Sequence, residues 1–214
     1  MKRILIRVLM IVAALAVIGF LFMRSVQSTR SAPYTIEQAH LQDWTFAIEP
    51  GNAPNAVLIA ARPPRELASA LFRQLFSRLA ESMNGPTSPM VPLLLQDEFN
   101  RSFAGRATTG ELLAAARDAG VEAAAFEPRC MGYRRESAPG VTRQLYFVFF
   151  EAPAFTRFRQ QIAALAEPGT GYDPTALSPV MPTAASDPDF NRWLPLRVNP
   201  DTDCVAPIVI ESVR

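Results

Sequence analysis

Histidine is almost absent from this chain, and its scarcity removes several classes of enzyme. His40 is the only histidine among 214 residues. The Ser-His-Asp and Cys-His arrangements of hydrolases are therefore excluded unless His40 itself serves, and a zinc site built on several histidines is impossible. The sequence also lacks the G-x-S-x-G, G-x-G-x-x-G and P-loop patterns. We therefore predict no nucleotide or other cofactor and no metal, and whether the protein is an enzyme stays open.

Cysteine is nearly as scarce, and the spacing of the two cysteines points to a structural role. Cys130 and Cys204 are too far apart for a C-x-x-C redox motif. In an oxidising compartment such a pair forms one intramolecular disulfide. We therefore predict a Cys130–Cys204 bridge that fastens the C-terminal segment to the middle of the domain.

Lysine occurs once, at Lys2, whereas arginine, alanine and proline are plentiful. This bias is typical of a GC-rich bacterial genome, so arginine abundance by itself carries no functional meaning. Five of the 21 basic residues lie among the first thirty, which leaves 16 basic against 20 acidic side chains in residues 31–214, a net charge of about −4. An acidic body is a poor nucleic-acid binder, because such binding depends on basic patches that neutralise phosphates.

The N-terminus carries a membrane-targeting pattern. Lys2, Arg3 and Arg7 precede an unbroken apolar run over residues 8–23. With the apolar residues before Arg7, the run approaches the roughly 20 residues needed to cross a bilayer. By the positive-inside rule, the body should lie outside the cytoplasm. We predict a signal anchor, a transmembrane helix, over residues 1–24, with a single pass through a bacterial inner membrane and the body facing the periplasm or the cell exterior.

The flanks of this segment leave a second interpretation open. Val26 and Ser28 could occupy the two small-residue positions before a signal-peptidase cut, which would release a secreted protein. No A-x-A triplet follows the apolar run, and Arg24 stands directly after it. These features favour retention of the anchor over cleavage.

The remainder of the sequence predicts a spacer over residues 25–41 and a single exported domain over residues 42–214. Apolar alternation and short apolar runs indicate strands, and three- and four-residue apolar steps indicate helices. The predicted strands are 43–49, 56–61, 91–95, 121–126, 129–136, 143–151 and 206–213, and the predicted helices are 65–83, 108–119, 155–165 and a short one at 187–193. Residues 167–188 are rich in proline, glycine, serine and threonine and are predicted as a long ordered loop or a mobile flap. The expected fold is α/β (α+β), with one mixed sheet and about three main packing helices.

The densest polar cluster follows the predicted strand 91–95 and contains Asp97, Glu98 and Arg101. Ligand sites gather at strand ends and the loops beyond them. The two carboxylates could act as acid and base if a substrate lay between them and one pKa were perturbed. Adjacent residues usually point apart, however, so a solvated loop start is the simpler interpretation, with Arg101 balancing the carboxylates.

A second polar pattern, D-x-D-x-N at Asp187, Asp189 and Asn191, resembles the opening of a calcium loop. Arg192 replaces the required glycine and Val198 replaces the required glutamate. Turn formation and helix capping explain these side chains better than calcium does.

These observations favour a membrane-anchored, extracytoplasmic domain that acts by binding or in envelope assembly, with an envelope protein as a possible partner. The alternative is an exported hydrolase that uses carboxylates near Asp97 and Glu98, with residues 167–188 as a lid.

Overall fold

A computed structural model describes residues 10, 12–13, 15–20, 31–79, 81–121 and 126–211. The chain divides into two compact units, Met1–Ala32 and Pro33–Arg214. Most of the predicted anchor lies outside the described residues, as do residues 122–125 of the predicted strand 121–126. Within the described ranges, no helix has the length and apolar character needed to cross a membrane.

The larger unit has a mixed α+β fold, which confirms the predicted class, but its strands form two sheets. The first sheet has the order β1-β8-β5-β6-β7, with β1 and β8 parallel and the other pairs antiparallel. The second is an antiparallel sheet of order β2-β3-β4. The strands are β1 Tyr34–Glu37, β2 Thr45–Ile48, β3 Val57–Arg62, β4 Val91–Leu95, β5 Glu127–Ala138, β6 Val141–Glu151, β7 Val180–Ala185 and β8 Cys204–Glu211.

The prediction of one sheet is therefore wrong, and the edges that face each other suggest the reason. β4 and β7 are edge strands of the two sheets and contact each other without forming a ladder. Each carries a proline, Pro92 in β4 and Pro182 in β7. Because proline has no N–H to donate, it disfavours a continuous ladder between these two edges.

Helices cover the sheets. They are α1 Arg65–Arg78, α2 Gln96–Ser102, α3 Thr109–Asp118, α4 Pro153–Ala163 and the single turn α5 Pro200–Asp203, with 3-10 turns at Gln38–Leu41 and Phe190–Trp193. α1 ends earlier than predicted, because Leu79 takes an extended conformation. The capping box of α3 is confirmed, since the Thr108 hydroxyl accepts the Glu111 N–H and the Glu111 carboxylate accepts the Thr108 N–H.

The interval predicted as a spacer contains β1, whose outer edge is covered by a side chain. The Gln74 amide of α1 donates to the Thr35 carbonyl at 2.6 Å and accepts the Thr35 N–H at 3.0 Å. Arg78 donates to the Pro33 carbonyl and lies over the Tyr34 ring, 4.0 Å from its centroid. These contacts satisfy polar groups that an uncovered edge strand would leave open.

Strand β7 lies within the interval predicted as a loop, so that part of the prediction is wrong. All six residues of β7 are buried, and Asn84 pairs with Ala185 on the side away from β6. Residues 180–185 include few of the β-branched and aromatic residues that are typical of strands, and their proline is typical of a loop. Burial of the strand and contacts on both of its sides outweigh this weak local preference for a loop.

The β5–β6 hairpin forms the middle of the larger sheet, and the predicted disulfide joins it to the C-terminal strand. Cys130 in β5 and Cys204 at the start of β8 are bonded, with Cα atoms 5.8 Å apart. Gly132 in β5 lies directly against the ring of Phe147 in β6. A side chain at position 132 would occupy the space that this ring fills.

Candidate functional site

A cleft opens where the two sheets meet at β4 and β7. Its cavity volume is about 330 Å³. Apolar walls come from both sheets, from the segment after α1 and from the 3-10 turn at Phe190–Trp193. We call it the proline cleft, and its lining residues are Val57, Pro86, Thr87, Ser88, Met90, Pro92, Pro182, Pro188, Asp189, Phe190, Asn191 and Leu194.

Two consecutive turns build the wall formed by residues 188–194. The Asp187 carboxylate accepts the Asp189 N–H at 2.9 Å, and the Asp189 carboxylate accepts the Asn191 N–H at 3.2 Å. The Asp189 N–H, with help from Arg192 and Arg143, lowers the pKa of Asp187. The D-x-D-x-N pattern thus forms turns and a helix cap, which is the interpretation that the sequence favours over a calcium loop. The described residues contain no cluster of three potential metal ligands.

The cleft offers a few polar groups among its apolar walls. Within the described ranges, the Ser88 hydroxyl and the Asn191 amide have no hydrogen-bond partner, and Asp189 is exposed. An apolar cleft with a few convergent polar groups is the usual form of a small-molecule or peptide site. These groups can hydrogen-bond an occupant and fix its orientation.

Glu98, one of the two candidate carboxylates, is committed to a buried ion pair. Glu98 is 6% exposed and Arg159 is fully buried. The guanidinium donates to both Glu98 carboxylate oxygens, at 2.7 and 3.0 Å. Glu98 also accepts the Leu95 N–H at 3.0 Å. The carboxylate is therefore anchored on both oxygens and lies away from the proline cleft's lining.

Asp97 and Arg101 lie elsewhere on the surface of the domain. The Asp97 carboxylate accepts the Asn55 N–H at 3.2 Å, where Asn55 adopts a positive φ of 56°. Arg101 is exposed in the last turn of α2. Neither residue lines the proline cleft. The three residues singled out from the sequence share one short helix, but the structure does not gather them around one cavity that it describes.

The loop before β7 is fixed by the same arginine that binds Glu98. Arg159 donates to the carbonyls of Asp173 and Pro174, at 2.9 and 3.1 Å. Arg197 binds the Asp173 carboxylate. The loop is thus held by hydrogen bonds at its centre, which matches the ordered-loop form of the prediction.

Burial also perturbs Tyr172, which lies beside this arginine. The Arg159 guanidinium carbon is 5.0 Å from the Tyr172 ring centroid. Burial raises the pKa of the Tyr172 phenol, and the positive charge of Arg159 opposes that rise. The phenol therefore stays neutral and acts as a packing group with a hydrogen-bonding hydroxyl.

Sequence reasoning missed both the proline cleft and the partner of Glu98. One pattern could have revealed the partner, because Arg159 falls within the apolar stripe of α4 formed by Phe155, Phe158 and Ile162. A charged residue in a core-facing stripe implies a buried partner. Nothing comparable marks the cleft, because its walls come from segments that only the tertiary fold brings together.

Comparison of the chain with protein-family models, with curated proteins and with solved structures finds no match.

Proposed function

We propose that this protein is a membrane-anchored, extracytoplasmic domain that acts by binding, and that the proline cleft is its binding site. The observation that carries this proposal is a cleft of about 330 Å³ at the junction of two sheets, apolar in its walls and holding Ser88 and Asn191 with unused hydrogen-bonding groups. This volume falls at the lower end of the roughly 300–1,000 Å³ range of ligand sites.

The compartment is inferred from the N-terminal segment and from the disulfide. Basic residues followed by an apolar run over residues 8–23 favour insertion into a membrane with the body exported. The Cys130–Cys204 disulfide is compatible with an oxidising compartment. Both features suit a domain that stands outside the cytoplasm.

The walls of the cleft favour binding of an apolar group without large rearrangement. Four of its lining residues are prolines. A proline ring fixes its own backbone φ angle, so little conformational freedom remains to be lost when an occupant enters. We infer that an apolar side chain or small molecule fills the cleft, with hydrogen bonds to the Ser88 hydroxyl and the Asn191 amide.

The exported-hydrolase alternative has less support from the geometry. A general acid or base must reach the reacting group of a substrate. Glu98 is held on both oxygens by Arg159 and Leu95, and Asp97 binds a backbone N–H outside the cleft. Catalysis at this pair would require the buried ion pair to open first.

Site-specific photo-crosslinking in the membrane of the native host tests the proposal. A photoreactive phenylalanine analogue is placed at Phe190 in the cleft and, as a control, at Val141, which is 45% exposed on the β5–β6 hairpin. We expect a discrete adduct at position 190 that weakens when Asn191→Leu removes the amide, and none at position 141. Equal labelling at both positions, or no adduct at position 190, would contradict the proposal.

A further inference from the structure

A second groove lies beside the proline cleft, between the outer face of α1 and residues 85–89. Its cavity volume is about 280 Å³. We call it the arginine groove, and it is lined by Arg65, Ala68, Ser69, Phe72, Arg73, Gly85, Pro86, Thr87 and Pro89. Pro86 and Thr87 line both cavities, so residues 86–87 form the wall between them.

The lining of this groove carries positive charge. Its lining contains two arginines and no carboxylate. In the part of the chain that the structure describes, Arg65 and Arg73 make no ion pair or side-chain hydrogen bond, and both are exposed. Several other arginines of the domain are paired, as Arg62 is with Glu49 and Arg159 with Glu98. The arginine groove is therefore a locally positive region of a body whose net charge is about −4.

The groove also presents an aromatic surface. Phe72 and Phe76 stack with centroids 6.1 Å apart. Phe76 is 56% exposed, more than any other large hydrophobic side chain described between residues 31 and 211. Gly85 lies against Phe72, and a Cβ at position 85 would approach that ring to 3.3 Å. The glycine therefore lets the opposite wall come close to the aromatic side of the groove.

The spacing of the two arginines sets the spacing of their partners. Arg65 and Arg73 are eight residues apart on α1, which corresponds to about 12 Å along the helix axis. An extended peptide rises about 3.3 Å per residue, and residues four apart point to the same side about 13 Å from each other. Two acidic side chains four positions apart in an extended segment therefore have nearly the same spacing as the positions of Arg65 and Arg73 along α1.

We propose that the arginine groove binds an extended acidic segment of a partner protein, with carboxylates four residues apart on Arg65 and Arg73 and an apolar side chain on Phe72 and Phe76. An anionic membrane surface fits less well, because a flat layer of headgroups cannot enter the groove between α1 and residues 85–89, whereas one extended chain can. This proposal goes beyond the proline cleft, and it can fail while the cleft's function stands.

Fluorescence anisotropy with the purified full chain in uncharged detergent, at low salt, tests the proposal. The probe is a short labelled peptide with two glutamates four positions apart and a phenylalanine two positions beyond the second, where it lies on the same side of the extended chain. We expect about a tenfold loss of affinity from Arg65→Gln and from Arg73→Gln, and no change from Arg106→Gln, which removes an exposed arginine elsewhere. A peptide with glutamine in place of glutamate should bind far more weakly, and added salt should weaken the acidic peptide's binding.

Three outcomes would overturn this proposal. They are equal binding of the glutamate and glutamine peptides, equal losses from Arg65→Gln and Arg106→Gln, and displacement of the peptide by detergent micelles that contain anionic lipid but not by micelles that contain neutral lipid. Crosslinking from Phe190 in a chain that carries both groove substitutions separates the two proposals. It should persist there, because neither Arg65 nor Arg73 lines the proline cleft.

Discussion

Arg159→Met is the substitution expected to destabilise the domain most clearly. The guanidinium has five N–H groups, and all of them are used: two bind the Glu98 oxygens and the others bind the carbonyls of Leu93, Asp173 and Pro174. The side chain therefore joins β4, α2, α4 and the loop before β7. Methionine fills similar space but can replace none of these hydrogen bonds.

The expected cost follows from the burial of both partners. Removing one member of a buried ion pair leaves the other uncompensated and costs about 3–5 kcal/mol. A domain is typically stable by about 5–15 kcal/mol, so this loss is a large fraction of the total. For a domain of this size, each kcal/mol shifts the Tm by about 2–4 °C, which gives a fall of about 6–20 °C.

Urea unfolding followed by circular dichroism, with the disulfide intact, measures this effect. We expect Arg159→Met and Glu98→Leu each to lower the free energy of unfolding by about 3–5 kcal/mol. The double variant should lose about 2 kcal/mol less free energy of unfolding than the sum of the two single losses, because neither charge is then left without its partner. Losses below about 1 kcal/mol, or strict additivity, would refute a shared buried pair.

Three further predictions concern the hairpin, the disulfide and the acid limit of stability. Gly132→Ala should cost about 1–3 kcal/mol in urea unfolding, because the new methyl group meets the Phe147 ring, and Phe147→Leu in the same chain should recover part of the loss; no recovery would contradict that contact. Reduction of the Cys130–Cys204 bridge, which closes a separation of 74 residues, should lower the free energy of unfolding by about 4 kcal/mol, whereas dithiothreitol should not affect a double serine variant. The pKa of Asp173 is lowered by hydrogen bonds from the hydroxyl and N–H of Thr175. Because the folded pKa lies below the unfolded one, this stabilisation is present above the unfolded pKa and disappears as the pH falls through the folded pKa. Asp173→Asn should therefore reduce the fall in the free energy of unfolding at acid pH. An unchanged pH dependence would contradict this role of Asp173.

Local patterns predicted the elements whose local preference agrees with the tertiary fold. The strand at Val91–Leu95 matches its prediction at both ends, and α1 begins at the predicted Arg65. The helix is marked by the prolines that precede it and by apolar spacing that suits its buried face, and the strand is marked by its short apolar run. Both strands of the β5–β6 hairpin were predicted, over residues 129–136 and 143–151, and the disulfide followed from the presence of only two cysteines in a chain expected to be exported.

The remaining features depend on contacts that no local pattern contains. Strand β7 is buried on both sides, and Pro182 within it reads as a loop residue. The proline cleft joins residues near 57, 86–92 and 182–194, which only the sheet junction brings together. The sequence indicates Glu98 as a candidate acid or base, yet its partner Arg159 lies 61 residues away on another helix. Pairing over such distances is set by topology, which a mixed α+β pattern leaves open.

Delivery of residues 33–214 to an oxidising compartment is the claim on which the proposed function rests. Thiol trapping in intact cells of the native host tests it directly, by acid quenching followed by alkylation with a polyethylene-glycol maleimide under denaturing, non-reducing conditions. In the full chain, Cys130 and Cys204 should escape alkylation because they are oxidised, whereas both should react in a chain that lacks residues 1–30. Alkylation of both cysteines in the full chain would contradict the account.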